Sequence, residues 1–144
     1  MKNTIKLFGI IVFITIIGFL MAACDDDNGS NTGHSLLDGV WERNGYQITV
    51  SGSTGVTTNF GSPSGYQLDA INKGYIKLNS PRWRDIKNIG NLTWAGQQLN
   101  ISYNSDGATG TVWKNCTFKM SADEQTVVVT TPDDGNTYNW IRKQ

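Results

Sequence analysis

Residues 98–131 read QLNISYNSDGATGTVWKNCTFKMSADEQTVVVTT, and their side-chain character alternates in twos. Leu99, Ile101 and Tyr103 form one apolar face with polar residues between them. Val112, Cys116, Phe118 and Met120 share a side with Lys114, while Trp113, Asn115 and Thr117 occupy the other. Val127, Val128 and Val129 make the next run apolar on both sides. A period of two places successive side chains on opposite faces of an extended chain, whereas a helix repeats apolar residues at intervals of three and four. The breaks at Asn104–Gly107 and Ser121–Gln125 carry the Asn, Ser, Asp and Gly of turns. Three strands joined by hairpins follow.

The same pattern extends outward. Gly39–Arg43, Tyr46–Ser51, Val56–Phe60, Gly74–Asn79, Trp83–Asn88, Asn91–Trp94 and Thr137–Arg142 read as further short extended runs, ten in all. Asn44-Gly45, Gly61-Ser62-Pro63 and Asp134-Gly135 punctuate them. Tyr46, Ile48 and Val50 point one way and Gln47, Thr49 and Ser51 the other. A single helical candidate, Gln67–Asn72 (QLDAIN), reads equally well as a turn. The expected fold is all-β: an antiparallel meander closing as a small barrel, with a β-sandwich as the alternative. Closure removes exposed strand edges and so favours the barrel.

Residues 36–144 hold ten Lys/Arg and nine Asp/Glu, a formal charge of +1. So even a balance has no electrostatic footprint for nucleic acid. Arg82, Arg84 and Lys87 cluster around Trp83 but are interrupted by Asp85, and they read as charges on a strand edge. Cys24 and Cys116 are the two cysteines; Cys116, two residues from Phe118, is expected in the core as a small apolar residue. His34 is the sole histidine and lies ahead of the domain, which excludes a Ser–His or Cys–His nucleophile pair and an ordinary thiolate/imidazole zinc site within it. Asp123-Glu124 and Asp133-Asp134-Gly135 fall where turns are expected and read as solvated caps. The expectation is a protein without catalytic, cofactor or metal residues.

The N-terminus carries its own signal. Lys2 and Lys6 precede the uncharged apolar run Leu7–Met21 of fifteen residues, and Ala22 and Ala23 then stand before Cys24. A bilayer-spanning helix needs about 20 apolar residues, so residues 1–23 are expected to be an export signal, an uncleaved anchor helix being the alternative. Met21-Ala22-Ala23-Cys24 resembles a bacterial lipobox, with Met21 where Leu is usual. That resemblance implies cleavage before Cys24 and fatty acylation of its thiol, making the lipid bilayer a partner. Residues 24–35 follow as a polar tether too poor in apolar side chains to fold alone. Asp25-Asp26-Asp27 resembles the surface-export signal of Bacteroidetes lipoproteins, whereas Asp directly after the cysteine resembles an inner-membrane retention signal. The expected location is the bacterial cell envelope, at the outer membrane or cell surface, with the inner membrane as the alternative.

Gly39-Val40-Trp41 near the start of the domain, and Arg142 in its last run, resemble the lipocalin pattern of a Gly-x-Trp on the first strand and an Arg lying across that Trp. The resemblance implies a barrel-closing cluster of Gly39, Trp41 and Arg142, with the guanidinium stacked on the indole. At 109 residues the domain is shorter than a typical lipocalin, and its five Trp and two Phe are expected to fill much of so small a barrel. The leading expectation is a membrane-anchored binding protein for a small apolar or amphipathic ligand. The alternative is an interaction module that meets a protein or a glycan through exposed aromatics, for which Trp83, Trp94 and Trp113 are the candidates; an inhibitor is a further variant.

Overall fold

Asn44 and Gly45 both adopt positive φ, 53° and 79°. A two-residue hairpin needs this conformation to match the right-handed twist of its strands. The pair joins β1 (Gly39–Arg43) to β2 (Tyr46–Ser51) in the computed structural model, which describes residues 35–144. The expected signal peptide, Cys24 and its tether up to residue 34 lie outside the described residues.

The chain continues through β3 (Thr54–Phe60), helix α1 (Gly65–Asn72), β4 (Pro81–Gly90), β5 (Thr93–Asn104), β6 (Gly107–Met120), β7 (Thr126–Thr131) and β8 (Asn136–Lys143). Each strand pairs antiparallel with the next. Pairing of Val40, Trp41 and Glu42 with Lys143, Arg142 and Ile141 then joins β1 to β8. The result is a closed eight-stranded barrel of lipocalin-like, up-and-down order. The sandwich alternative is therefore set aside.

Ten expected runs become eight strands. Asn91 and Leu92 have positive φ, 48° and 55°, and form the turn into β5, so the runs 91–94 and 98–103 belong to one turn and one strand. Gly74–Asn79 is not extended. Gly74 and Asn79 take positive φ there, and Ile76 tucks beside Ala70 and Ala108. The ambiguous segment 67–72 is helical. Asp69 fixes it to the barrel: its carboxylate accepts the Ala108 N–H at 2.6 Å and pairs with Lys73 at 2.9 Å, and Lys73 Nζ donates to the Ala108 carbonyl at 2.9 Å. Gly107 is required beside this clamp, since a Cβ there would lie 2.4 Å from Asp69 Oδ2.

The helix also decides which face of β5 turns inward. Leu99 and Ile101 pack with α1, Ile101 also lining the cavity. Gln98, Asn100 and Ser102 therefore line the lumen. In β6 the expected face is the inner one: Cys116, Phe118 and Met120 are buried. A column of rings crosses the barrel, from Phe60 to Tyr46 (5.9 Å), Trp140 (5.9 Å), Trp83 (5.2 Å) and Phe118 (4.9 Å). Tilted and edge-on ring pairs of this kind each contribute about 0.5–1.5 kcal/mol beyond area burial.

Candidate functional site

The two ends of the barrel differ. At one end Leu37 is fully buried and accepts a 2.8 Å hydrogen bond from Trp41 Nε1 through its carbonyl. The Arg142 guanidinium stands 4.4 Å over the Trp41 ring. Its three nitrogens donate to the carbonyls of Glu124 (2.9 Å), Asp38 (2.8 Å) and Leu36 (2.6 Å). Gly39, at φ +135°, leaves the space this guanidinium needs, because a Cβ would approach Nη1 to 2.7 Å. Gly39, Trp41 and Arg142 are thus brought together as a seal, and the described chain enters the barrel at that end.

The other end is hollow. A cavity of about 640 Å³ opens among the β1–β2, β3–β4 and β7–β8 connections. This size lies within the range of small-molecule sites. The ring column supplies its floor through Trp140 and Tyr46, Phe60 and Tyr138 add aromatic wall, and Gln98, Asn100 and Ser102 supply a polar wall. The expectation that aromatics fill the barrel holds for the sealed half only. Toward the helix-bearing end the inward positions of β5 are polar and lack the bulk to close the lumen.

Arg82 reaches this cavity through an irregularity. Gly55 pairs with Trp83 and Val56 with Pro81, so Arg82 is skipped in the ladder between β3 and β4. An inserted residue re-aims neighbouring side chains; here Arg82 lines the cavity and Trp83 enters the core. Arg82 is therefore not an edge charge, and a closed barrel has no edge. Its Nη1 is buried without a hydrogen-bond partner, as is Trp140 Nε1 in the same cavity wall. Burial lowers the Arg82 pKa, the Tyr46 and Tyr138 hydroxyls opposing the shift, yet a guanidinium stays protonated in proteins.

The other charges at the cavity are compensated or peripheral. Lys114 Nζ meets Asp134 Oδ2 at 2.9 Å. Asp134 also accepts from the Thr131 hydroxyl and the Asn136 N–H. These bonds, the Thr131 one foremost, hold its carboxyl well below the ordinary range. Arg43, exposed at the rim, lies 4.4 Å over the Tyr138 ring. The cavity wall therefore carries the cations Arg43, Arg82 and Lys114 against the single carboxylate of Asp134.

The three aromatics expected at the surface are placed otherwise. Trp83 and Trp94 are 0% and 2% exposed. Their polar neighbours mark the alternation of a strand with one face inward, not an exposed ring. Trp113 is on the outer face but half-buried, opposite Leu99 and beneath the Arg84 guanidinium at 4.0 Å. The exposed ring pair is Tyr66 of α1 and Tyr103 of β5, stacked at 4.4 Å and 45% and 62% exposed. Sequence reasoning missed Arg82, Trp140, Tyr46, Tyr138 and Gln98 as cavity residues. The inward face of β2 was legible, but the slip that turns Arg82 inward leaves no mark in composition.

Comparison of the chain with protein-family models, curated proteins and solved structures finds no match.

Proposed function

We propose that this chain is a non-enzymatic envelope lipoprotein, anchored through acylated Cys24, whose barrel holds a small amphipathic molecule in its open half. The observation that carries this reading is the asymmetry of the lumen. One end is sealed by Trp41 and Arg142, and the other contains a cavity of about 640 Å³ with an aromatic floor and a polar wall. Such a mixture of ring surface and convergent polar groups suits a ligand with both apolar and polar parts. A purely apolar ligand would leave the Arg82 guanidinium desolvated without compensation.

Native mass spectrometry of the purified chain tests the binding reading, backed by titrations that follow tryptophan emission. Trp140 in the cavity wall makes quenching or enhancement the expected signal. A chain that carries no added mass and whose emission no amphipathic probe alters would overturn it. Anchoring is tested separately by metabolic labelling with an alkynyl palmitate analogue. Label should enter the wild-type chain and be absent from Cys24→Ala; an unlabelled wild type would remove the membrane from the proposal.

A further inference from the structure

We infer that the cavity takes a small amphipathic carboxylate, bound head-first with its anionic group on the Arg82 guanidinium and the Trp140 indole N–H. This inference rests on the binding reading above and specifies the chemistry of its ligand.

The argument begins with an imbalance. Arg82 Nη1 and Trp140 Nε1 are buried donors with no acceptor among the described residues, and both belong to the wall of one cavity. A buried donor left unsatisfied costs about 1–3 kcal/mol, and more when it is charged. Buried polar groups in folded proteins are normally paired. No ion pair of Arg82 is found among the described residues, and its guanidinium stands 5.9 Å over the Tyr46 ring. Asp134, the carboxylate in the same wall, is already engaged by Lys114, Thr131 and Asn136. The positive charge at depth therefore has no partner of opposite sign among the described residues, and two donors in one cavity wall lack acceptors.

The number and kind of donors select the anion. A guanidinium matches the planar, two-oxygen edge of a carboxylate in a bidentate fork. The indole N–H adds one neutral donor. With Lys114 neutralised and Arg43 out at the rim on Tyr138, a single charge faces the floor, which fits a monoanion better than a dianionic phosphate. Above that point Tyr46, Phe60 and Tyr138 offer ring surface to the remainder of the molecule. The ligand's apolar part then lies toward the mouth, near the stacked Tyr66 and Tyr103.

The test uses the purified full chain and three probes: 4-phenylbutyrate, its uncharged counterpart 4-phenylbutanol, and inorganic phosphate. Affinities are read by calorimetry for the wild type, Arg82→Gln and Arg82→Met. The wild type should bind the acid roughly tenfold or more tighter than the alcohol, as a charge-assisted bidentate pair requires. In Arg82→Gln the two probes should agree within about twofold, the acid having lost its advantage. Thermal unfolding without ligand gives an independent readout: Arg82→Met should unfold no lower than the wild type, because it removes an uncompensated buried charge. Equal wild-type affinities for acid and alcohol would overturn the carboxylate assignment while leaving the binding reading intact. Failure of both to bind would overturn both. Phosphate binding as tight as the acid and lost in Arg82→Gln would replace the carboxylate by a phosphate. An Arg82→Met chain that unfolds several degrees lower would make Arg82 a structural residue and end the inference.

Discussion

Arg142 lies across Trp41 at 4.4 Å while its paired position in the β1–β8 ladder places the two backbones side by side. The contact therefore spans the seam at which the sheet becomes a barrel. Arg142→Ala removes a cation–π contact and leaves the carbonyls of Leu36, Asp38 and Glu124 without their donors. Destabilisation of about 2–4 kcal/mol is expected, read as a lower urea midpoint. Arg142→Lys should recover less than half of it, because one ammonium cannot serve three carbonyls and stack on the ring. Gly39→Ala should destabilise by about 1–3 kcal/mol through its positive φ and the collision with Nη1.

Trp83 and Trp113 provide a contrast between inside and outside. Trp83 is fully buried between Trp140 and Phe118, so Trp83→Ala should cost about 3–5 kcal/mol. Trp113→Ala loses a half-buried face and its Arg84 contact, about 1 kcal/mol. Denaturant titration of the two variants checks the assignment; similar losses would contradict it.

The Lys114–Asp134 pair sets two pH limits. Asp134 is held below the ordinary 3.8 of an aspartate, first by the Thr131 hydroxyl and then by Lys114. Its contribution to stability is fully present above pH 3.8 and disappears as pH falls through the lowered folded value. Lys114 is raised above 10.5 by Asp134, so its contribution is present below pH 10.5 and is lost as pH rises through the folded value. Asp134→Asn should flatten both limbs of a stability-versus-pH curve measured by thermal unfolding. Unaltered limbs would remove the pair from that account.

Cys116 is buried in the lumen, and burial pushes its thiol from 9.0 up to about 12. The thiolate is then scarce at neutral pH. Iodoacetamide at pH 8 should alkylate the Cys116 peptide roughly a hundredfold or more slower in the folded chain than in urea. A raised thiol also means that its contribution to stability is present below pH 9.0 and falls away as pH climbs toward 12.

Much of this architecture can be read along the chain, and particular residues show how. Asn44-Gly45 marks a hairpin because few other residues tolerate two positive φ angles in succession. The inward faces Tyr46–Ile48–Val50 and Cys116–Phe118–Met120 follow from a two-residue period. Gly39, Trp41 and Arg142 were legible as a set through a pattern of residue types whose geometry the fold then supplies. Alternation in β5 grouped Leu99 with Ile101 but left open which face turns inward. An apolar Leu99 and Ile101 point inward only when nothing apolar covers the outside, and here α1 does.

Local chemistry along the chain determined strands, turns and the composition of a barrel, because φ/ψ preference and side-chain alternation are properties of neighbours in sequence. Which face of β5 lines the lumen, and that Arg82 turns into the cavity, were decided only by tertiary structure. These depend on ladder register and on the packing of α1, set by residues tens of positions apart. A one-residue slip between β3 and β4 is enough to turn a charge that looks like surface into the wall of a cavity.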